Sequence, residues 1–287
     1  MSVALLELGS GPLALCLHGF PDSAHTWRYL LPKLADAGFH AVAPFMRGYA
    51  PTSVPADSCY SVGALAHDAV ALHDALGGDA TAVLIGHDWG AEAAYAAAAL
   101  APERWRTLVT MSVPPASLDD LLFADYEQLK RFFYLFVLGA SWGERVVSAN
   151  GMAFLDRLWA DWSPGYDARE DLRRVKDCLP DPSHLSAALG YYRAFWNGDD
   201  PACQTYAVAQ AAVDRRPPQP ALYLRRDRDG CIRADLVTGV PEHLGPGSRI
   251  KIVERAGHFL HLERPAEVND LILSWVTPDR TATRRVT

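Results

Sequence analysis

Several classes of protein are ruled against by what this chain of 287 residues lacks. Its five cysteines, Cys16, Cys59, Cys178, Cys203 and Cys231, are odd in number, widely scattered and without a C-x-x-C pair. That spacing suggests neither a disulfide framework nor a zinc site; no metal and no organic cofactor is expected. No apolar run approaches the roughly 18 residues that a membrane span needs. The start, Met1-Ser2-Val3-Ala4, has neither the basic region nor the long apolar stretch of a secretory signal. A cytoplasmic location and no membrane are expected. Basic residues are few, 27 against 34 acids, and the formal net charge of −7 argues against a nucleic-acid partner. The balance says little about a small neutral substrate; a small molecule is nonetheless the expected partner. With 49% hydrophobic and 21% charged residues the composition is that of an ordinary soluble protein, monomer or homodimer.

What is present alternates. Leu13–Leu17, Ala41–Ala43, Ala82–Ile85 and Thr107–Val113 are apolar runs too short for helices of ordinary length, and read as buried strands. Between them Thr26–Ala37, Ser61–Leu76 and Ala91–Ala101 carry helical patterns. Such alternation predicts an α/β fold, a mostly parallel sheet flanked by helices. From residue 118 to 207 the pattern changes to helical stretches rich in aromatics: Asp119–Leu138, Glu144–Trp159, Ala168–Cys178 and Pro182–Phe195. Strands resume at Ala221–Leu224 and Arg249–Val253, and Pro265–Val276 is a closing helix. The expectation is one core of residues 1–117 and 208–287 carrying an inserted helical cap, 118–207, with a frayed polar tail from Thr277.

The sharpest local signal is Gly86-His87-Asp88-Trp89-Gly90-Ala91, between a strand and a helix. This is the G-x-nucleophile-x-G spacing of a nucleophile elbow. A side chain at Gly86 or Gly90 would clash with neighbouring backbone, and the central residue is pushed clear at a helix N-terminus, where an anion is favoured. An N-cap aspartate in a plain turn is the ordinary alternative. Two more segments weigh against it. His18-Gly19-Phe20-Pro21 follows the strand Leu13–Leu17, and aims the Phe20 N–H toward the elbow; with the Trp89 N–H it makes a two-donor oxyanion hole. His258, after Gly257 in the loop beyond Arg249–Val253, is placed as a general base. Asp229, in the turn before Gly230, is the acid to orient it, with Asp119 as runner-up. His87 supports the turn and His261 packs near the site; a His258/His261 pair without a third ligand is a weak metal motif.

Together these motifs resemble the α/β-hydrolase superfamily, in particular its aspartate-nucleophile branch of epoxide hydrolases and haloalkane dehalogenases. The resemblance spans essentially the whole chain. It implies the triad Asp88, Asp229 and His258, in the chain order that goes with this fold, and an alkyl-ester intermediate on Asp88 hydrolysed by His-activated water. One departure stands out: where the family reads Asp-x-x-Gly-x-Gly-x-Ser after the third strand, this chain reads Phe45-Met46-Arg47-Gly48-Tyr49-Ala50-Pro51-Thr52-Ser53, without the acid.

The resemblance also separates the leaving groups. Epoxide hydrolases use two cap tyrosines on the alkoxide. Their motifs match Arg131-Phe132-Phe133-Tyr134-Leu135-Phe136 and Leu189-Gly190-Tyr191-Tyr192-Arg193, which carries the roles onto Tyr134 and Tyr192, with Tyr191 as fallback and pocket residue. Packing of the cap is the bland reading of the same tyrosines. Haloalkane dehalogenases need N–H donors for the halide. Trp89 is in place for one, but Phe20 stands where an Asn often does, and only cap tryptophans, Trp142, Trp159, Trp162 or Trp196, remain for the second. Fluoroacetate-type dehalogenases match less well, having Arg at the position of Trp89. The expectation is therefore an epoxide hydrolase acting on an apolar or aryl epoxide, with a haloalkane dehalogenase next. A non-enzymatic receptor on the same scaffold is the reading from another class.

Overall fold

The short apolar runs become strands because each is covered on both faces. The computed structural model describes residues 1–198, 200–237 and 239–277; beyond Thr277 the tail expected to fray lies outside them. Seven strands occur among the described residues: β1 (Leu5–Leu8), β2 (Leu13–Leu17), β3 (His40–Pro44), β4 (Val83–His87), β5 (Thr107–Met111), β6 (Ala221–Arg226) and β7 (Arg249–Val253). They form one sheet in the order β1-β3-β2-β4-β5-β6-β7. Every neighbouring pair is parallel except β1 with β3. Six of the seven correspond to runs read from the sequence. β1 was not foreseen: it is an edge strand, half-exposed along its length, with Leu8 facing solvent, so its pattern carries no clear signal of burial.

Helices α1 (Leu31–Asp36), α2 (Val62–Ala75) and α3 (Trp89–Leu100) connect the strands. The stretch expected to be one helix over Thr26–Ala37 is a 3₁₀ turn, Ala24–Tyr29, followed by α1. Pro32 sits in the first turn of α1, where its missing N–H leaves no bond unmade. The alanines of α3 are buried almost completely, and their small side chains let the helix lie close against β2, β4 and β5.

Between β5 and β6 the described residues hold helices and no strand: α4 (Asp119–Ala124), α5 (Tyr126–Arg131), α6 (Phe133–Gly139), α7 (Gly143–Ser148), α8 (Ala153–Trp162), α9 (Arg169–Asp177), α10 (Pro182–Trp196) and α11 (Ala207–Gln210). Two of the long helices read from the sequence are thus broken. At Asp125 the backbone is extended, and the side chain accepts the Gln128 N–H, so a local cap replaces a helical turn. At Asn150 and Met152 the backbone turns left-handed and ends α7 well before α8 begins. α10 packs on α6, and Asp181 caps it by accepting the N–H groups of Ser183 and His184. No described helix is long and apolar enough to cross a membrane.

The cysteine spacing misled. Cys59, ahead of α2, and Cys203, after α10, form a disulfide. The two are 144 residues apart, a separation at which sequence alone gives no hint of pairing. The bond ties the return from the helical segment to the loop before α2. Closing so long a loop restricts the unfolded chain, so Cys59→Ser is expected to lower the unfolding free energy by about 2–4 kcal/mol. Urea denaturation with and without reductant checks this; an unchanged midpoint would show that the bond does not form in solution.

Candidate active site

Asp88 caps α3 at φ 55°, ψ −124°, a conformation that L side chains rarely adopt. The surrounding glycines make it possible. A Cβ on Gly86 would fall on the Gly90 carbonyl, one on Gly90 on the Leu17 carbonyl, and one on Gly19 on the Asp88 side chain itself. The same close approach brings the Phe20 N–H to Asp88 Oδ1, at 2.8 Å. The Trp89 N–H opens α3, one of the groups that a helix leaves without an internal acceptor. The Phe20–Pro21 bond is cis. His18 fixes this turn: Nδ1 donates to the Gly19 carbonyl at 2.9 Å, and Nε2 accepts the Met46 N–H at 3.0 Å. The loop that lacks the family's acid is therefore pinned from His18. It is pinned again by buried Arg47, which donates to Asp68 and to the Cys59 carbonyl.

His258 is fully buried, with Nε2 3.5 Å from Asp88 Oδ2 and Nδ1 3.3 Å from Asp229 Oδ2. Its backbone is held on both sides. Its N–H donates to the Trp162 carbonyl, and its carbonyl accepts from His87 Nε2 at 2.9 Å and from the Ser112 hydroxyl at 2.7 Å. His87, beside Asp88, thus ties the Asp88 turn to the histidine loop. Burial pulls the His258 imidazolium down, but Cys231 and Asp88 beside it push it back past the ordinary histidine value. Asp229 also accepts the Cys231 N–H at 2.6 Å. Asp119 is not near His258; it lines the cavity, so the runner-up acid is set aside.

Arg226 was not foreseen. It lies at the end of β6, buried, and its guanidinium pairs with the Asp229 carboxylate and donates to the Ser112 carbonyl. Its Nη2 is 3.5 Å from His258 Nδ1. In sequence it is one of five successive arginines and aspartates, Arg225–Asp229, and nothing local marks it as buried. Asp22, two residues after Phe20, was also missed; its Oδ2 lies 3.9 Å from His87 Nδ1 in a fully buried group completed by His261. His261 stacks on Trp27 and bonds Thr26.

A cavity of about 260 Å³ opens over Asp88, walled by Trp89, Phe123, Phe132, Tyr134, Tyr192 and Phe195 among others. Tyr134 from α6 and Tyr192 from α10 meet edge to face, with ring centroids 6.0 Å apart. Burial pushes both phenols well above their ordinary value, and nearby Asp88 adds to it. The Tyr134 hydroxyl also lies 3.2 Å from Cys231 Sγ. Tyr191 turns the other way: its ring lines the cavity, but its hydroxyl donates to the Arg47 carbonyl at 2.8 Å. The tryptophans divide similarly. Trp159 and Trp196 donate to the carbonyls of Pro21 and Leu135, Trp162 packs against His258, and Trp142 is half-exposed.

A family model described as the alpha/beta hydrolase fold matches residues 12–265. The chain belongs to the α/β-hydrolase fold family. Within it, the chain is 28% identical to a Caballeronia sordidicola epoxide hydrolase, over 96% of this chain and 91% of that one. It is also 28% identical to epoxide hydrolase A of Mycobacterium tuberculosis, over 93% and 90%. Among solved structures, an epoxide hydrolase from an endophytic Streptomyces superposes with a TM-score of 0.77 at 28% identity, covering 96% of this chain and 91% of its own. Similarity within this hydrolase family therefore runs to epoxide hydrolases.

The packing assigns different costs to neighbouring positions. Tyr191→Phe removes one buried hydrogen bond, so a loss of about 0.5–1.5 kcal/mol of stability is expected. Gly90→Ala drives a methyl into the Leu17 carbonyl, and the expected loss is at least about 1–3 kcal/mol. Thermal or urea unfolding of the two variants ranks them; the reverse order would contradict the close approach of α3 to β2.

Proposed function

We propose that the protein is an epoxide hydrolase that opens an apolar or aryl epoxide to a vicinal diol through an ester on Asp88. The observation that carries this reading is the facing pair Tyr134 and Tyr192 above Asp88, with His258 and Asp229 behind it. The helices of residues 118–207 act as the cap that brings the tyrosines over the core.

Phe20 N–H holds Oδ1 of Asp88, which leaves Oδ2 to attack a ring carbon. The carbon–oxygen bond of the ring breaks, and a tyrosine hydroxyl gives its proton to the departing oxygen. An alkoxide is a strong base, so a positioned acid contributes about 10²–10⁴-fold. Cys231 Sγ lies 3.2 Å from Tyr134 Oη and positions that hydroxyl beside the departing oxygen. Water then adds to Cγ of Asp88 while His258 Nε2 takes its proton, and the charge on Oδ1 is held by the N–H groups of Phe20 and Trp89. Collapse releases the diol and restores the carboxylate; the proton held by His258 returns to the tyrosinate. Neither metal nor organic cofactor enters. Esterification removes the Asp88 charge, one of the groups pushing His258 up, so the imidazole becomes neutral when a base is needed.

The choice against a halide rests on the donors. Two of the cap tryptophans have their N–H groups committed to backbone carbonyls, and Phe20 supplies no side-chain donor. For the compartment, cytoplasm is the reading from sequence, and the Cys59–Cys203 bond favours an oxidising one. A monomer or homodimer without nucleic-acid or membrane partners completes the proposal.

Purified protein should form diol from an aryl epoxide and release no halide from a terminal haloalkane, with Asp88→Ala inactive on both; halide without diol would reverse the choice. In labelled water a single turnover should place the heavy oxygen on Asp88, and its absence there would falsify the ester step. Tyr134→Phe and Tyr192→Phe should each lower kcat/KM by about 10²–10⁴. Hydrolysis needs neutral His258, so kcat/KM should rise with pH through an inflection above the ordinary histidine value, given the direction of its shift. Removing the cation in Arg226→Met favours the imidazolium and should move that inflection higher. An inflection that moves lower would mean that Arg226 does not act on His258 by charge.

A further inference from the structure

Beyond Asp88 the cavity runs into a second set of acids that the reaction does not use. Glu92 lies on α3, one turn past Asp88, about 6 Å along the helix axis. Asp119, after β5, and Asp214, before β6 at an exposed position, line the same cavity. The carboxylates are close enough to act on one another: burial, followed by the charges of Asp119, Asp88 and Asp214, raises Glu92 well above the usual carboxylate range. Burial and Asp214 push Asp119 up to about 7.

Glu92 is nine-tenths buried, faces the cavity, and makes no hydrogen bond or ion pair among the described residues. No Lys or Arg is among the described residues that line this cavity. A carboxylate taken out of water without a partner is costly, and three close together repel one another as well. A cation in the cavity relieves both. The remaining walls suit it: Trp89, Phe195 and Phe123 line the cavity, and aromatic rings attract ammonium groups to their faces.

We propose that the substrate is an epoxide carrying a cationic amine a few bonds from the ring, with Glu92, Asp119 and Asp214 holding the ammonium while Asp88 reaches the ring carbon. This rests on the epoxide reading above and narrows it: the apolar part of the substrate meets the aromatic wall, and its charge meets the acidic end. A neutral polyol bound by protonated carboxyls is the competing occupant.

The test compares glycidyltrimethylammonium with its neutral carbon isostere, 1,2-epoxy-4,4-dimethylpentane, and with glycidol, using the whole protein. The kcat/KM ratio of ammonium to neutral isostere should exceed about tenfold, and Glu92→Gln or Asp214→Asn should each lower that ratio about tenfold, the scale of one charge contact. Asp214 is exposed, so its variant tests the same attraction where misfolding is not at issue. Turnover of the isostere with no preference for the ammonium, or a preference for glycidol alone, overturns the inference and leaves the epoxide reading standing. Benzyltrimethylammonium, which has no ring to open, separates the two in the other direction. If no epoxide is turned over, yet this probe quenches tryptophan fluorescence in the wild type and about tenfold more weakly in Glu92→Gln, the cation site stands and the epoxide reading falls. If the probe does not bind, or binds equally to both, the cation site is overturned.

Discussion

The site depends on one strained residue. Asp88 is held at positive φ between β4 and α3, and three glycines exist to let it be so: Gly86 and Gly90, where a Cβ would strike carbonyls, and Gly19, where it would strike Asp88 itself. The strain is tolerated because the flanking strand and helix are over-determined by packing. The alanine face of α3 lies tight on the sheet, so the turn has no room to relax into an ordinary cap. The carboxylate is thereby delivered to the N-terminus of a helix and to the Phe20 N–H.

Around that carboxylate the charges are closely coupled. His258 sits between Asp88 and Asp229, and Arg226 shares Asp229. A buried ion pair of this kind is weak evidence for stability, because desolvation offsets most of the attraction. Its effect is on geometry and on proton affinity. Arg226 fixes Asp229 and bonds the Ser112 carbonyl, while the Ser112 hydroxyl holds the His258 backbone. One short circuit of contacts thus joins β5, β6 and the histidine loop, and His87 closes it back to the elbow.

The helical segment contributes the other half of the cavity. Adjacent residues on α10 illustrate how sharply direction matters: Tyr192 faces Trp89, Phe20 and Tyr134, whereas Tyr191 spends its hydroxyl on Arg47. Arg47 in turn belongs to the loop where the family's acid is missing, and it is paired instead with Asp68 from α2. Arg47, anchored by Asp68 of another element, holds the loop here, and the chain is 28% identical to two epoxide hydrolases.

The chain itself determined whatever a local constraint could write. Short apolar runs settled the five inner strands, because burial on both faces leaves no polar alternation; β7, at the exposed sheet edge, alternates charged and apolar residues from Arg249 to Ile252. The glycine spacing around Asp88 and the His-Gly-x-Pro turn marked the elbow, since only glycine satisfies those approaches. His258 and Asp229 followed from their places after strands. Tertiary structure decided the rest, because it turned on which distant side chains converge. Cys59 meets Cys203 across 144 residues, Arg226 is buried beside Asp229 in a run of outwardly ordinary charges, and Glu92, Asp119 and Asp214 reach one cavity from three elements. The helix breaks at Asp125 and Asn150 belong with these: each depends on a competition between helix and local cap or left-handed turn, which packing resolves. Local sterics are legible from neighbours in sequence; charge, pairing and pocket shape depend on neighbours in space.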